Sequence, residues 1–303
     1  MALALGVWLA LAAGAVGVYG AFPAAAYGAE APAQEDPERR ALDLSAAGAD
    51  AVLRAVVDHL RGGPLRGTYT FVVERPGRST EYVMEIVSDG DQRGLIRVVA
   101  PPREAGQAFL MSGDDLWLYN ARLGRSLRLP PSGRTGAFLG SDVSYNDIVG
   151  RDLERDYIAA FASADAVAAA EDAAGAAAGG AAGDAAGGVA GSPAAGSAGS
   201  LIVLELTPRQ GAPTPYGRVL IGVEATSLAP RWVDYYDQRG QVVKRLTLSE
   251  YLESGGRILP LLMEVEDRIR EGNRTVVRLS GVELDAAIPE SCFTLQALER
   301  GCP

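Results

Sequence analysis

The sequence predicts a mainly β fold, a curved antiparallel sheet or barrel made from two meanders. Three observations predict it. From about Thr68 to Leu129 short runs alternate apolar and polar residues, and the alternation returns from Leu201 almost to the C-terminus. Between these runs, Ala137-Phe138-Leu139-Gly140-Ser141-Asp142-Val143-Ser144-Tyr145-Asn146-Asp147 does not alternate. It sets two bulky apolar residues beside a glycine, then hydroxyl and carboxyl groups suited to capping a short helix, and reads as a crossing between the meanders. Finally, residues 108–111 and 116–119 carry large apolar or aromatic groups on both faces, which a sheet with one wet face does not need. A curved sheet that covers a helix on its concave side, or encloses an apolar cavity, does need them.

Taken in order, the chain begins with an almost wholly apolar run, Leu3 to Val18, followed by Ala24-Ala25-Ala26-Tyr27-Gly28-Ala29. These read as the apolar and cleavage regions of an export signal, so residues 1–28 are expected to be a signal peptide. Gly14, Gly17 and Gly20 dilute the run and Pro23 follows it, which makes it short for a membrane span. No Lys or Arg precedes Arg39, so the basic region of a signal is missing, and an uncleaved anchor is the alternative. Residues 29–44, polar and proline-bearing, are expected to be a disordered mature N-terminus.

A single domain is expected over 45–303. Ser45 is placed to cap a helix whose Leu53, Val56, Val57 and Leu60 recur on one face, and Gly62-Gly63-Pro64 stops it. The first meander turns at Pro76-Gly77, Asp89-Gly90-Asp91, Pro101-Pro102, Ser112-Gly113-Asp114-Asp115 and Gly124. From about Ala164 to Ser200 the chain becomes Ala, Gly and Ser with scattered Asp, a flexible insertion from which no packed core is expected. Six further strands follow, near 201–206, 218–223, 231–236, 242–248, 258–265 and 275–282.

The formal net charge is -10, and Lys244 is the only lysine. No basic stripe interleaved with aromatics occurs, which argues against a nucleic-acid partner. Cys292 and Cys302 are the only cysteines. A bridge between them would close a small C-terminal loop; two free thiols are the alternative. With one distant histidine, His59, they do not make a metal ligand set. A serine nucleophile is equally poorly served. Ser141 and Ser144 stand beside Asp142 and Asp147, but His59 is some 80 residues earlier and no G-x-S-x-G elbow is present. The residues therefore point to binding without catalysis or cofactor.

Four pieces, in this order, resemble the LolA-like family of outer-membrane lipoprotein-sorting proteins, in the branch with this crossing motif. They are Gly140-Ser141-Asp142-Val143-Ser144-Tyr145-Asn146-Asp147, Asp234-Tyr235-Tyr236-Asp237 before Gly240, Lys244-Arg245-Leu246-Thr247, and Ile288-Pro289-Glu290-Ser291-Cys292-Phe293-Thr294-Leu295. The similarity covers about Ala47 to Arg300, apart from the insertion. It implies an unclosed antiparallel β-barrel, a half-barrel with helices covering its concave face. It also implies a monomeric periplasmic carrier of lipoprotein acyl chains or lipids, with an inner-membrane transporter as donor. Alternation supplies candidate cavity-lining residues: Tyr82, Met84, Phe109, Met111, Trp117, Tyr119, Phe138, Leu139, Trp232 and Tyr235. The competing reading is a periplasmic sensor or transporter-associated module that binds protein through an apolar face.

Overall fold

Two runs of alternating residues fold into two meanders that share one sheet. The computed structural model describes residues 48–61, 63–113, 115–145, 147, 153–168, 170, 201–212 and 214–302. The expected signal peptide, the mature N-terminus, Ser45 and residues 171–200 of the insertion lie outside the described residues.

Helix α1 (Ala49–Arg61) precedes the first meander, β1 (Leu65–Arg75), β2 (Arg78–Ser88), β3 (Arg93–Ala100), β4 (Ala108–Ser112), β5 (Asp115–Asn120) and β6 (Arg125–Leu129). After the crossing, a single turn α2 (Leu153–Asp156) leads into β7 (Tyr157–Phe161). The second meander is β8 (Leu201–Pro208), β9 (Arg218–Glu224), β10 (Pro230–Tyr236), β11 (Val242–Ser254), β12 (Arg257–Asp267) and β13 (Arg274–Leu284), and helix α3 (Leu295–Arg300) closes the chain. Strand β7 was not anticipated. Its five residues include two alanines, and it carries too little alternation to read as a strand.

Among the described residues the sheet has 13 strands in the order β6-β5-β4-β3-β2-β1-β13-β12-β11-β10-β9-β8-β7. All neighbours are antiparallel. The first strand of one meander thus pairs the last strand of the other at the centre, and β6 and β7 are left as outer strands. The barrel is unclosed.

Register carries one apolar row across the concave face. Phe71 pairs Val277, Val277 pairs Met263, Val265 pairs Leu246, and Val233 pairs both Leu246 and Ile221. Over the second meander this face is covered by α1, whose Val52, Leu53, Val56 and Val57 are buried against Leu204, Leu206, Val219 and Ile221. Burying each such side chain contributes about 1.5–3 kcal/mol. His59 fixes the end of the helix. Its Nδ1 accepts the Ile258 N–H at 3.1 Å, so Nε2 carries the proton and donates to the Ser227 carbonyl at 3.2 Å.

The convex face is covered as well, which accounts for strands that are apolar on both sides. On the first meander, Cys292, Phe293, Ala297 and Leu298 pack on Leu95, Ala108 and Leu110. Cys292 and Cys302 form a disulfide within this cover. On the second meander, helical residues 164–168 with Ala170 pack on Val203, Leu220 and Tyr236. The start of the Ala-rich insertion therefore does supply core, because alanine fits the shallow space over a sheet; the expectation that none of it packs is corrected here. The buried Asp234–Arg245 pair anchors this cover, with Arg245 Nη2 donating to the Ala170 carbonyl at 3.0 Å.

Candidate functional site

The crossing is built by side chains that reach back to their own segment and to both meanders. Phe138 N–H donates to the Val143 carbonyl at 2.8 Å and Tyr145 N–H to the Gly136 carbonyl at 3.1 Å, which closes a compact turn. Leu139 takes a left-handed backbone with φ 50, and Gly140 follows at φ 73. Gly140 suits a conformation that disfavours a Cβ. The turn drives Phe138 inward. Its ring is fully buried, 4.7 Å from Phe109, 5.5 Å from Tyr145 and 5.7 Å from Phe71 between centroids.

Two carboxylates then pin the crossing. Asp142 Oδ2 accepts from Arg75 Nη1 at 2.8 Å and from Thr275 Oγ1 at 2.7 Å, while Arg75 Nη2 donates to the Gly140 carbonyl at 2.7 Å. These hold it to β1 and β13, the centre of the sheet. Asp147 Oδ2 accepts the Ser144 N–H at 2.8 Å and, from β11, Lys244 Nζ at 2.7 Å. The hydroxyl and carboxyl groups that the sequence singled out as caps do cap, since Asp147 N–H also donates to Ser144 Oγ. They are equally the crossing's anchors.

Between the crossing, the end of α1 and the concave face lies a cavity of about 380 Å³. The apolar row lines it, including Phe71, Val277, Met263, Leu246, Val233 and Ile221, and the turn between β2 and β3 forms part of its wall. One end is polar. Lys244 stands there with its Nζ 4.2 Å from the ring centroid of Tyr235 and 5.1 Å from that of Tyr216. Burial pushes the ammonium down, but the Asp147 carboxylate outweighs it with help from the two tyrosines and holds Lys244 above its ordinary value. Burial likewise pushes up the phenols of Tyr235, Tyr216 and Tyr157, and that of Tyr69 to about 12.

The alternation-derived residues divide by strand parity. Met111 and Tyr235 line the cavity. Tyr82, Met84, Phe109 and Phe138 are buried in the adjoining core, with Leu139 packed against it. Trp117 and Tyr119 stand on the opposite face, under the C-terminal cover, because Trp117 pairs Leu110 and Tyr119 pairs Ala108. Trp232 is on the convex face too, its indole lying across Gly222, where a Cβ would come within 2.2 Å of the ring. The polar end formed by Lys244, Asp147 and Tyr216 was not named as a lining in the sequence, although Lys244 and Asp147 both fall in the motif pieces quoted above. Ser141 is tied to Val143 by hydrogen bonds, Ser144 caps Asp147, and His59 is engaged by backbone at the C-terminal end of α1.

A family model described as an uncharacterized protein matches residues 90–300. No curated protein matches the chain. Among solved structures, the chain is similar to a domain described as an outer-membrane lipoprotein-sorting protein from Vibrio parahaemolyticus, with 19% identity and a TM-score of 0.64 over 83% of this chain and 98% of that one. It is also similar to a DUF1329 family protein from Desulfovibrio piger, with 23% identity and a TM-score of 0.63 over 87% and 99%. A LolA superfamily protein from Nitrosomonas europaea gives 20% identity and a TM-score of 0.60 over 82% and 97%. The half-barrel expected from the four motif pieces is thus the fold of these proteins.

Proposed function

We propose a carrier function from one premise: the chain belongs to the family of uncharacterized proteins whose model spans residues 90–300, and it has the fold of the LolA superfamily. The observation that supports the proposal is the cavity itself. A closed core would fill the concave face, yet here about 380 Å³ stays open between the sheet, α1 and the crossing. That volume is within the range of small-molecule sites, and its walls are mostly aliphatic. An acyl chain gains about 0.8 kcal/mol for each CH₂ buried in such walls. The protein binds acyl chains of lipoproteins or lipids in the periplasm, takes them as a monomer from an inner-membrane donor, and passes them towards the outer membrane. The lipoprotein-sorting description of the Vibrio domain agrees with this reading.

Native mass spectrometry of the chain purified without detergent, with lipid extraction of the same sample, tests it. Co-purified acyl lipid, or uptake of a fluorescent fatty acid, is expected. Met263→Trp, which puts an indole into the cavity, is expected to abolish uptake at a stability cost of no more than about 1–3 kcal/mol, since part of the added volume enters empty space. A folded, lipid-free protein that takes up no fatty acid overturns the proposal and favours the protein-binding module.

A further inference from the structure

A carrier for neutral chains has no use for a buried ion pair in its cavity wall. Taking both charges out of water costs as much as their attraction returns, so an apolar pair of similar volume would serve stability equally well. Yet the one lysine of the chain is here, its side chain 10% exposed and its partner Asp147 21% exposed. Every other cation is an arginine. The ammonium is a compact point charge with three donors, flanked by the faces of Tyr235 and Tyr216, whose centroids are 4.6 Å apart. Lys244, Asp147, Tyr216 and Thr214 all border the cavity, so a group in the cavity can reach Nζ. Asp156 borders it also and is paired with Arg155 at 3.0 Å.

The partner on Nζ is replaceable. Asp147 comes from the crossing and not from the sheet, and its carboxylate is already the more exposed of the two groups. An incoming carboxylate or phosphate offers Lys244 the same charge. We propose that the cavity takes an anionic amphiphile, its chain along the apolar row and its headgroup on Lys244 Nζ in place of Asp147. Loading then releases the Asp147 end of the crossing, while Asp142 keeps the other end on Arg75 and Thr275. The proposal rests on the carrier reading and narrows it to one class of cargo.

Calorimetric titration of the full chain with dodecanoate, dodecyl phosphate and methyl dodecanoate tests it. These share a twelve-carbon chain and differ in headgroup. A charge-assisted hydrogen bond contributes about tenfold in affinity or more. Because the headgroup replaces Asp147 on Nζ, only the surplus over the Asp147 bond appears, so at least one anion is expected to bind several-fold tighter than the ester, and the better of the two identifies the headgroup. Lys244→Met is expected to erase that preference. Asp147→Asn, which removes the competing carboxylate, is expected to tighten anion binding several-fold, whereas loss of a merely structural pin would weaken all three ligands alike. Hydrogen exchange on the unsubstituted chain needs no variant to fold: the Ser144 amide, bonded to Asp147, should lose protection with the anion and keep it with the ester. Ester and anions binding equally overturns this inference and leaves the carrier standing. Failure of all three to bind overturns both.

Discussion

Asp142 holds the crossing to the centre of the sheet, and Asp142→Ala measures how firmly. Its side chain is 8% exposed and that of Arg75 is 21% exposed, and Thr275 is fully buried. Losing one partner of a buried ion pair costs about 3–5 kcal/mol, because the other charge is stranded. Two contacts soften the loss here: Arg75 keeps the Glu74 carbonyl at 2.6 Å and the Gly140 carbonyl at 2.7 Å. The low end, about 3 kcal/mol, is expected, which is about 6–12 °C in Tm for a domain of this size. Asp142→Asn keeps one acceptor and is expected to cost about 1–2 kcal/mol. Urea unfolding gives the free energies, and hydrogen exchange shows where the loss falls. The amides of Phe138, Ser141 and Tyr145, all bonded within the crossing, should lose protection before those of β1 and β13. A cost below about 1 kcal/mol, the range of an exposed pair, would refute the anchoring argument. So would unchanged protection of those three amides.

Two further outcomes follow from other parts of the fold. Reducing the Cys292–Cys302 bridge opens a loop of sequence separation 10 and should lower stability by about 3 kcal/mol in urea titrations; acyl uptake should persist, because the bridge is part of the convex cover, on the face away from the cavity. Tyr69 borders the cavity with its phenol pushed up by burial to about 12 from 10.0, so the folded state prefers the neutral form. That preference is fully present below pH 10.0 and is lost as pH rises towards 12. Tyr69→Phe should therefore match the parent in its urea midpoint at neutral pH and exceed it increasingly above pH 10.0, and parallel curves across that window would contradict the buried phenol.

Much of the sheet was legible because alternation is a local signal: the six strands of each meander, the turn glycines and α1 all fall where the pattern puts them. Alternation assigns residues to alternate faces, however, and does not say what covers each face. Trp117 and Met111 are both large and mainly apolar, yet one lies under α3 and the other against the cavity. The difference depends on the C-terminal segment folding back over β3, β4 and β5, a long-range event with no local trace. Trp232 shows the same limit. Its place on the convex face depends on Gly222 in the neighbouring strand, where the missing Cβ leaves room for the indole. The polar end of the cavity is not legible in the sequence for a second reason. Lys244 and Asp147 are 97 positions apart, and only the pairing of β10 with β11 brings the lysine beside Tyr235.

The two anchors of the crossing differ in kind, and that difference decides how the fold can move. Asp142 is enclosed by an arginine fork and a buried threonine, with the arginine also bonded to the crossing's own backbone at Gly140. Breaking it costs Asp142 and the buried Thr275 hydroxyl their bond at once, while Arg75 keeps the Glu74 carbonyl. Asp147 has a single cationic partner, and its exposed edge lets water solvate the carboxylate when it leaves. The costlier anchor sits where β1 meets β13 and binds the two meanders together; the cheaper one sits at the cavity's polar end. On the proposed carrier function, opening begins at Asp147, with Phe138 and the aromatic cluster around it as the fixed point. An apolar contact at either place would hold the crossing as well, but it would not distinguish the two ends, since dispersion falls off over the whole contact and not at one atom.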